Sequence, residues 1–340
     1  MGKRKAPSED SSSNKNKEIC EMLMELADYE KNVTRQIHKH NAYRKAAASI
    51  MKHPQAITNG KEAAALPGIG KKISEKIDEF LTQGKLQKLE KIRADDTSVA
   101  MKQLVRVSGI GPAHAKKLVD DGITSIEDLR KHTDKLNHHQ QIGLKYMEEF
   151  EERIPRAEME LLEAEAKKII ESVDNTVIAT VCGSYRRGAK SSGDIDILIT
   201  HPQFTTSDKS AKDILTKVVT AFDESGFLTD KLSHGDTKFM GVCLLKSEEG
   251  EPARIHHRID VRLIPHDEYF CGLLYFTGSD EFNRQMRATA LDKGYTLNEY
   301  CIRKLSSDKA TPGEKLPVTS ERDVFDYIGM EYKEPNERSL

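Results

Sequence analysis

The sequence predicts a multidomain protein, with all-α modules at the N-terminus, an α+β domain after them and a smaller α+β subdomain at the C-terminus. Apolar residues recur at helical spacing from about residue 18 to 150. After Pro155 the pattern changes to short strand-like apolar runs between helical stretches. Residues 1–94 hold 19 Lys and Arg against 12 Asp and Glu, a net charge of +7, so the rest of a chain of net charge −2 carries −9. This asymmetry suggests a polyanionic partner for the first part, and the alternative is an uneven scatter of charge.

Length and composition limit the class of protein. At 340 residues the chain has room for two or three domains. No apolar run approaches the ~20 residues that cross a bilayer, and the N-terminus shows no hydrophobic signal segment. The five cysteines are scattered, odd in number and without a C-x-x-C pair. That pattern argues against a disulfide framework or a zinc site and fits a reducing compartment.

Periodicity and turn residues place the elements. Residues 1–17 are predicted to be a disordered basic tail, whose Lys3-Arg4-Lys5 cluster is a weak nuclear-import signal. Proline and glycine near 67 and 110 indicate tight connections between helices. The pattern predicts helices over 156–172 and 210–224, strands over 177–181, 195–200, 239–245 and 259–264, and surface loops over 246–254 and 306–315.

One short motif occurs twice between helical segments. Its copies begin at Leu66 and Val107, and each has an apolar residue, one variable residue and Gly-Ile-Gly, followed by lysines. Alternate glycines let a turn tighten and expose backbone N–H groups, which can bind phosphate oxygens with the start of the next helix. The alternative is an ordinary turn that needs glycine. Two copies favour sequence-independent binding to a DNA backbone, the helix-hairpin-helix pattern.

Two segments, GSYRRG from Gly183 and GDIDILI from Gly193, carry the strongest indication of chemistry. The second is predicted to be a strand of period 2, so Asp194 and Asp196 project from one face about 7 Å apart. Two like charges at that distance repel each other and need a cation between them. Carboxylate oxygens suit Mg²⁺, which prefers carboxylates together with substrate phosphates.

A third carboxylate, Asp260, lies in the segment RIDVRLI. It shares a strand face with Arg258 and Arg262, while the apolar residues between them face the other side. An Asp in mid-strand needs partners when water does not solvate it. The alternative is an exposed sheet face of alternating charge, which explains Asp260 better than it explains Asp194 and Asp196.

Three carboxylates fit two-metal phosphoryl transfer, in which one ion activates a hydroxyl and the other binds a triphosphate. Asp194 and Asp196 would bridge both ions. Asp260 would complete the nucleophile side and accept the proton of an attacking 3′-hydroxyl. The Gly183-Ser184 turn and Arg187 would bind the triphosphate, a combination typical of nucleotidyltransferases.

Together these residues resemble the X family of DNA polymerases, and within it the beta type. The resemblance runs over nearly the whole chain from about residue 18. It rests on both glycine hairpins, GSYRRG, GDIDI, RIDVR and the YFTGS segment that begins at Tyr275. The chain begins too close to the first hairpin for the extra N-terminal domain of other members, which is why the beta type is expected.

The resemblance implies ligands and contacts for many residues. Two Mg²⁺ ions are expected at the three aspartates, and Na⁺ or K⁺ at the carbonyls of Ala64, Leu66, Ile69, Val105, Val107 and Ile110. Residues expected to contact the dNTP are Arg153, Ser184, Arg187, Ser192, Gly193, Tyr275, Phe276, Gly278, Asp280 and Asn283. Residues expected to contact DNA are His38, Lys39, Tyr43, Gly68, Gly70, Lys72, Lys88, Gly109, Gly111, Arg258 and Arg287.

Two further groups follow from the resemblance. A helix over 280–292 would present Asp280, Asn283 and Arg287 to the nascent base pair, although by sequence alone it is an amphipathic surface helix. The group that exchanges partners with Asp196 as such an enzyme closes is matched by Arg262, Glu299 and Tyr300.

The basic N-terminal domain resembles the 5′-deoxyribose-phosphate lyase of the beta type. Lys76 matches its Schiff-base lysine, although by sequence alone it is one of many helix-surface lysines. Schiff-base chemistry needs an unprotonated amine, which neighbouring cations favour. The cations expected to do this, and to bind the 5′-phosphate together with His38 and Tyr43, are Lys39, Lys72 and Lys88.

The expected organisation follows the chain in order. After the tail come a helical lyase domain over 18–94 and a helical DNA-binding subdomain over 95–154, each with one helix-hairpin-helix. An α+β nucleotidyltransferase palm covers 155–264, and an α+β nucleotide-selection subdomain covers 265–340. The expected function is gap-filling, template-directed DNA synthesis in base excision repair, combined with the lyase.

The expected partners are gapped or nicked double-stranded DNA, dNTPs and other base excision repair proteins, with no membrane. A monomer in the nucleus, with a cytoplasmic pool, is expected. Two alternatives stay open. One is template-independent nucleotide addition, on which the sequence bears weakly, since no long insertion over 155–340 would block a template. The other is a DNA-binding scaffold with a decayed transferase site, against which the intact aspartates, turn and Arg187 count.

Overall fold

The computed structural model describes residues 16–247, 250, 253–306 and 312–339. The chain divides into two compact units, Met1–Gln140 and Gln141–Leu340. The first is all-α and the second combines helices with sheets, which confirms the predicted fold class. Most of the predicted tail, with its basic cluster, lies outside the described residues. Within the described ranges, no helix is both long and apolar enough to span a bilayer.

Short helices follow one another through the first unit. They are α1 (Lys17–Asn32), α2 (Ile37–Lys52), α3 (Gly60–Ala64), α4 (Lys71–Gln83), α5 (Gln87–Arg93), α6 (Asp96–Leu104), α7 (Pro112–Asp120), α8 (Ile126–Lys131) and α9 (His138–Lys145), which crosses the division between the units. Apolar residues every three to four positions give α1 one buried face, which includes Leu23 and Leu26. These side chains pack with Ile50 of α2 and Ile77 of α4 in one hydrophobic core.

The second unit alternates helices and strands. Its helices are α10 (Met147–Glu151), α11 (Arg156–Val173), α12 (Gly183–Arg186), α13 (Ile214–Glu224), α14 (Tyr269–Thr277), α15 (Asp280–Asp292) and α16 (Glu321–Ile328). Its strands are β1 (Ile154–Pro155), β2 (Ile178–Val181), β3 (Ser191–Ser192), β4 (Ile195–Thr200), β5 (Leu228–His234), β6 (Lys238–Cys243), β7 (His257–Leu263), β8 (Tyr295–Leu297), β9 (Ile302–Leu305) and β10 (Pro312–Lys315).

The largest sheet has five strands in the order β2-β4-β7-β6-β5. β4 and β7 run parallel, and the other neighbours are antiparallel. One face packs on α11 and α13 through a core that includes Leu162, Phe222 and Phe239. Cys182 and Leu198 belong to a second, smaller cluster with side chains of α14. Burial on both faces explains the nearly continuous apolar run of β4.

The structure corrects three local expectations. Residues 312–315, predicted as loop, form β10 and pair with β9. β5, β8 and β9 were not predicted, because edge and short strands bury few residues; β5 buries only Leu228 and Leu232. The predicted Gly183-Ser184 turn is the start of the one-turn helix α12. The helix and strand runs predicted around 156–264 are otherwise confirmed within a few residues at their ends.

A buried ionic network joins α12 to the C-terminal subdomain. Arg338 has no solvent exposure, and its Nη1 donates to Glu321 Oε1 at 2.6 Å. Arg186 donates to both oxygens of the same carboxylate at 3.0 and 2.8 Å. Burial alone would raise the pKa of Glu321, but the hydrogen bonds from both arginines hold it below its ordinary value. A single carboxylate therefore pairs with two guanidinium groups at once.

Replacing Glu321 with Ala should lower the free energy of unfolding by about 3–5 kcal/mol, because two buried cations would lose their counter-charge. Urea unfolding followed by circular dichroism measures the change. The matched control is Asp213→Ala, which removes an exposed pair with Lys217 at 3.0 Å and should cost less than about 1 kcal/mol. Equal losses in the two variants would contradict a structural role for the network.

Candidate active site

Two carboxylates meet in the large sheet because β4 and β7 run parallel. The register pairs Asp196 with Asp260, on strands about 4.8 Å apart. Along β7, Asp260 alternates with fully buried residues and shares its face with Arg258 and Arg262, as predicted. The pairing thus brings two acidic residues, distant in sequence, to one point of the sheet.

Nearby cations compensate the negative charge of this pair only in part. Burial, followed by the negative charges of Asp194 and Asp260, raises the pKa of Asp196 to about 7. Burial raises the pKa of Asp260 too, against the opposing effect of Arg258 and Lys238. Within the described residues, Asp260 Oδ1 is buried without a hydrogen-bond partner. A buried carboxylate oxygen without a donor is costly, so a divalent cation with a preference for oxygen ligands fits these residues.

Asp194 is engaged elsewhere. Arg258 Nη2 donates to Asp194 Oδ2 at 2.8 Å. Among the side chains that the structure describes, no three of the His, Cys, Asp or Glu type form a group arranged to hold a metal ion. The first of the three aspartates is therefore ion-paired with the Arg258 guanidinium, which was expected at DNA, and its negative charge also reaches Asp196.

Sequence reasoning missed one cation at this site. Lys238, Asp196, Asp260 and Phe276 are among the residues that line a cavity of about 80 Å³. Lys238 begins β6, and its backbone lies opposite Arg262 of β7. In the sequence, nothing distinguishes the lysine of the segment KFMGVC from a lysine on the protein surface. Only the pairing of β6 with β7 places it beside the carboxylates.

The GSYRRG segment begins against Asp196. Gly183 has a φ of +59°, and a Cβ there would lie 2.7 Å from Asp196 Oδ2. Glycine is needed at this position both for the left-handed backbone and for the close approach. The Cys182 N–H donates to the Asp196 carbonyl at 2.8 Å. Ser184 Oγ donates to Ser192 Oγ at 3.1 Å, so two expected dNTP contacts are neighbours.

Arg153 and Arg187 were expected to bind the triphosphate, and each lies close to another residue that was expected to contact the dNTP. Arg153 Nε donates to Ser191 Oγ at 3.0 Å, and its Nη1 would lie 3.7 Å from a Cβ at Gly193. Arg187 Nη1 donates to the Thr277 carbonyl at 2.6 Å. It would also lie 3.3 Å from a Cβ placed on the next residue, Gly278. Arg153 thus lies close to Gly193, and Arg187 lies close to Gly278. All four were expected to contact the dNTP.

The helix predicted over 280–292 is confirmed as α15. Asn283 Nδ2 donates to the Tyr275 carbonyl at 2.7 Å, and both residues line one small pocket with Arg287. Burial lowers the pKa of Arg187, and the carboxylate of Asp280 opposes that shift. The first turn of α15 is therefore within electrostatic reach of the GSYRRG segment.

The three residues expected to exchange partners with Asp196 during closure, Arg262, Glu299 and Tyr300, line one cavity. The Arg262 guanidinium lies 5.2 Å from the centre of the Phe276 ring. Both side chains contribute to the lining of a second cavity, of about 180 Å³, with Glu299 and Tyr300. Arg262 therefore lines this cavity and the one that contains Asp196 and Asp260.

In the first unit, the two glycine hairpins have the same backbone geometry. The φ angles of Gly68 and Gly109 are +81° and +88°. Gly70 and Gly111 are the N-caps of α4 and α7, with φ of −89° and −85° and ψ of 172° and 171°. A Cβ at either N-cap would meet nothing within 4 Å. Both helix starts are therefore open to a closely approaching partner.

The backbone carbonyls expected to hold a monovalent cation come from equivalent positions of these hairpins. The carbonyls of Leu66 and Val107 each accept from the N–H three residues later, at 3.3 and 3.0 Å. Two other turn carbonyls are held by side chains: Ser49 Oγ donates to Pro67 and Gln140 Nε2 to Gly109. The equivalent glycines of the two turns have matching dihedral angles, so the two turns have the same local backbone geometry at these glycines.

The lysines expected at the lyase site form a cluster around a buried glutamate. Lys76 is half-buried on α4, and burial, followed by the charge of Lys88, lowers its pKa. Lys88 Nζ lies 2.5 Å from Glu30 Oε1, whose side chain is 1% exposed. Residues in electrostatic reach of this group are Lys39, Tyr43 and Lys72. Glu30 was not predicted, and His38 is exposed on α2.

Comparison with known proteins gives four family matches that follow one another along the chain. Family models match a helix-hairpin-helix domain over residues 14–86, the fingers domain of DNA polymerase lambda over 102–151, the DNA polymerase beta palm over 153–266 and the DNA polymerase beta thumb over 272–339. DNA polymerase lambda of Rattus norvegicus is 34% identical over 342 residues, covering 98% of this chain and 58% of the relative. DNA polymerase lambda of Arabidopsis thaliana is 35% identical over 314 residues, covering 88% and 58%.

These domains define a protein of modular construction, with a helix-hairpin-helix domain before a polymerase palm and thumb. The chain belongs to the X family of DNA polymerases and resembles DNA polymerase beta, which confirms the resemblance found in the sequence. It spans a little under three fifths of the length of the two relatives.

Replacing Asp196 with Asn should stabilise the metal-free protein at alkaline pH. The raised folded-state pKa means that the stability contribution of the protonated carboxyl is present near pH 4 and lost as pH rises through about 7. Asparagine does not ionise and avoids this loss. The difference in unfolding free energy between variant and wild type should begin to grow near pH 4, be about 2 kcal/mol larger at pH 7 than at pH 5, and level off above pH 7.

Urea unfolding in EDTA at each pH gives this difference. The matched control is Asp223→Asn, at an exposed carboxylate paired with Lys231. A difference between Asp196→Asn and wild type that stays constant from pH 5 to 8 would contradict the assignment of a buried, raised carboxyl.

Proposed function

We propose that this protein is a template-directed DNA polymerase that fills short gaps in base excision repair and also removes a 5′-deoxyribose phosphate. The observation that carries the polymerase part is the partly buried pair of Asp196 and Asp260 on parallel strands, with the GSYRRG segment against it at Gly183. Membership of the X family supports the same reaction. Two buried like charges beside a candidate phosphate-binding turn favour metal-assisted nucleotidyl transfer.

Mg²⁺ would be held by Asp196 and Asp260, and by Asp194 once Arg258 releases it, and would supply charge neutralisation and hydroxyl activation. The remaining steps involve the two substrates and the side chain of Asp260. The 3′-oxygen of the primer attacks the α-phosphorus of the dNTP, and Asp260 accepts the hydroxyl proton. The bond to the β-phosphate oxygen breaks, and pyrophosphate leaves with the electron pair.

The phosphates would lie along α12 and β3. Ser184 and Ser192 supply hydroxyl groups at one place, and Arg187 can turn from the Thr277 carbonyl to the departing phosphates. Tyr275, Asn283 and Arg287, which share a pocket, are suited to the base and its template partner. The resemblance to the family supports these roles.

DNA binding would use both glycine hairpins, whose open helix starts accept phosphate oxygens. Na⁺ or K⁺ would lie on the carbonyls of the two turns. The proposal includes gapped or nicked DNA and dNTPs as partners, other base excision repair proteins, a monomeric state and a nuclear location.

For the lyase, Lys76 would attack C1′ of the abasic sugar and form a Schiff base, after which β-elimination releases the 5′-phosphate end. The lowered pKa of Lys76 leaves more of its amine unprotonated at neutral pH than in a solvent-exposed lysine. The surrounding lysines are suited to the phosphate.

Asp260→Ala should reduce extension of a primer at a one-nucleotide gap by about 10²–10³-fold or more, because the proton acceptor and a metal ligand are lost. With each dNTP supplied singly, the wild type should add only the complement of the template base, and only with Mg²⁺. Affinity for the gapped DNA should change less than about twofold. Asp223→Ala is the matched control and should extend normally.

Addition regardless of the template base would replace this proposal with template-independent transfer. Full activity of Asp260→Ala would remove that carboxylate from the site.

Lys76→Ala should abolish cross-linking to an incised abasic site when borohydride reduces the Schiff base, because the half-buried amine whose pKa burial lowers would be lost. Gap filling by the same variant should stay within about twofold. Lys91→Ala, on the surface of α5, is the control. Undiminished cross-linking in Lys76→Ala would assign the reaction to another lysine.

A further inference from the structure

One arginine contacts the GSYRRG segment from the α11 side, and no role described above uses it. Arg156 Nη1 donates to the carbonyl of Tyr185 at 3.1 Å and to that of Ala189 at 3.3 Å. The same guanidinium lies 4.6 Å from the centre of the Tyr185 ring. One side chain thus binds two backbone carbonyls at the end of α12 and covers the aromatic ring between Ser184 and Arg187.

The backbone around Arg156 is fixed to the same stretch. The Arg156 N–H donates to the Lys190 carbonyl at 3.0 Å. Just before it, β1 pairs with β3, so that Ile154 lies opposite Ser192. The positions of residues 189–192 are therefore set by the segment that begins α11.

Arg156 occupies an electrostatically unfavourable place for a cation. It is the first residue of α11, where the helix dipole disfavours positive charge. The Tyr185 carbonyl near the end of α12 and the Ala189 carbonyl just after it are the opposite environment, since their partial negative charge attracts a cation. The contacts with α12 offset this cost and explain the direction of the side chain.

Tyr185 is held at its other end as well. Its hydroxyl donates to Glu163 Oε2 at 2.6 Å, and Lys167 pairs with the same carboxylate at 2.8 Å. Burial, followed by this hydrogen bond, raises the pKa of Tyr185 to about 12, so the hydroxyl remains a donor. The ring is thus fixed between Arg156 and Glu163 of one helix.

We propose that Arg156 is a positioning residue for the incoming nucleotide. By binding the carbonyls of Tyr185 and Ala189, it fixes the backbone that presents Ser184, Arg187 and Ser192 to the triphosphate. This inference rests on the proposed polymerase function. Arg156 itself does not touch the nucleotide.

The physical need for such a residue lies in the length of α12. A helix of four residues is a single turn and is marginal on its own. Arg186 and Arg187 attach it to the C-terminal subdomain, and Arg156 attaches its end to α11. Preorganised donors bind a triphosphate without a further ordering cost, and a displacement of about 1 Å can cost up to about 10²-fold.

The experiment measures dNTP affinity without chemistry. Wild type and variants are bound to one-nucleotide gapped DNA with a dideoxy-terminated primer, and the correct dNTP is titrated with Mg²⁺. Arg156→Ala should weaken the dNTP by about 10-fold, and Arg156→Lys by less, because lysine supplies a point charge without the planar fork. Affinity for the gapped DNA should stay within about twofold in both.

The matched control is Glu160→Ala, which removes only the surface ion pair of Arg156, at 3.4 Å, and should leave dNTP affinity unchanged. Thermal unfolding of each variant is recorded beside the titration. Lower thermal stability with wild-type dNTP affinity in both Arg156→Ala and Arg156→Lys would overturn the inference. A wild type that binds no dNTP would instead overturn the proposed function.

Discussion

β4 and β7 lie side by side and parallel, and this pairing places Asp196 opposite Asp260 within a partly buried part of the sheet. Local sequence preference does not bring the two carboxylates together, since the strands that carry them are more than fifty residues apart in the chain. The cost of two close negative charges appears in the raised pKa of Asp196 and the unpartnered Oδ1 of Asp260. Several neighbouring features follow from that cost. Glycine is needed at 183, and Lys238 and Arg258 lie within electrostatic reach.

The GSYRRG segment connects this charged centre to the rest of the second unit. Three arginines attach it from different directions. Arg156 binds its Tyr185 carbonyl from α11, Arg186 enters the buried network at Glu321, and Arg187 binds the last carbonyl of α14. A one-turn helix thereby gains a fixed position that its own hydrogen bonds do not supply. The same segment is therefore a junction between the palm and the C-terminal subdomain and the place where a triphosphate would bind.

Much of this could be predicted from the sequence. The face of Asp260 followed from strand alternation, the helix over 280–292 from its spacing and the resemblance, and the two hairpins from repeated Gly-Ile-Gly. Patterns with a fixed period report local geometry, which is why these predictions were confirmed. The family was also recognisable, because its motifs recur in order along the chain. The role of Lys76 rested on the resemblance rather than on the residue itself.

What the sequence could not provide depends on contacts between distant segments. Lys238 lies beside the carboxylates only through the pairing of β6 with β7. Glu30 contacts Lys88 of the predicted lyase cluster only through the packing of α1 on α2 and α5. The ion pair of Asp194 with Arg258 depends on side-chain direction, which spacing does not determine. The sequence of β10 predicts a loop because Pro-Gly has low strand propensity. Pairing with β9 outweighs this low propensity.

Calorimetric titration of Mg²⁺ into the complex with gapped DNA tests most directly whether a divalent cation binds between Asp196 and Asp260. It should be done at pH 7 in buffers of different ionisation enthalpy. A cation that binds between Asp196 and Asp260 must displace the proton that the raised pKa retains. Release of roughly half a proton per site is expected at pH 7, with less at pH 8.5 and clearly less from Asp196→Asn. Heats that do not depend on the buffer, or equal release from Asp196→Asn, would contradict it.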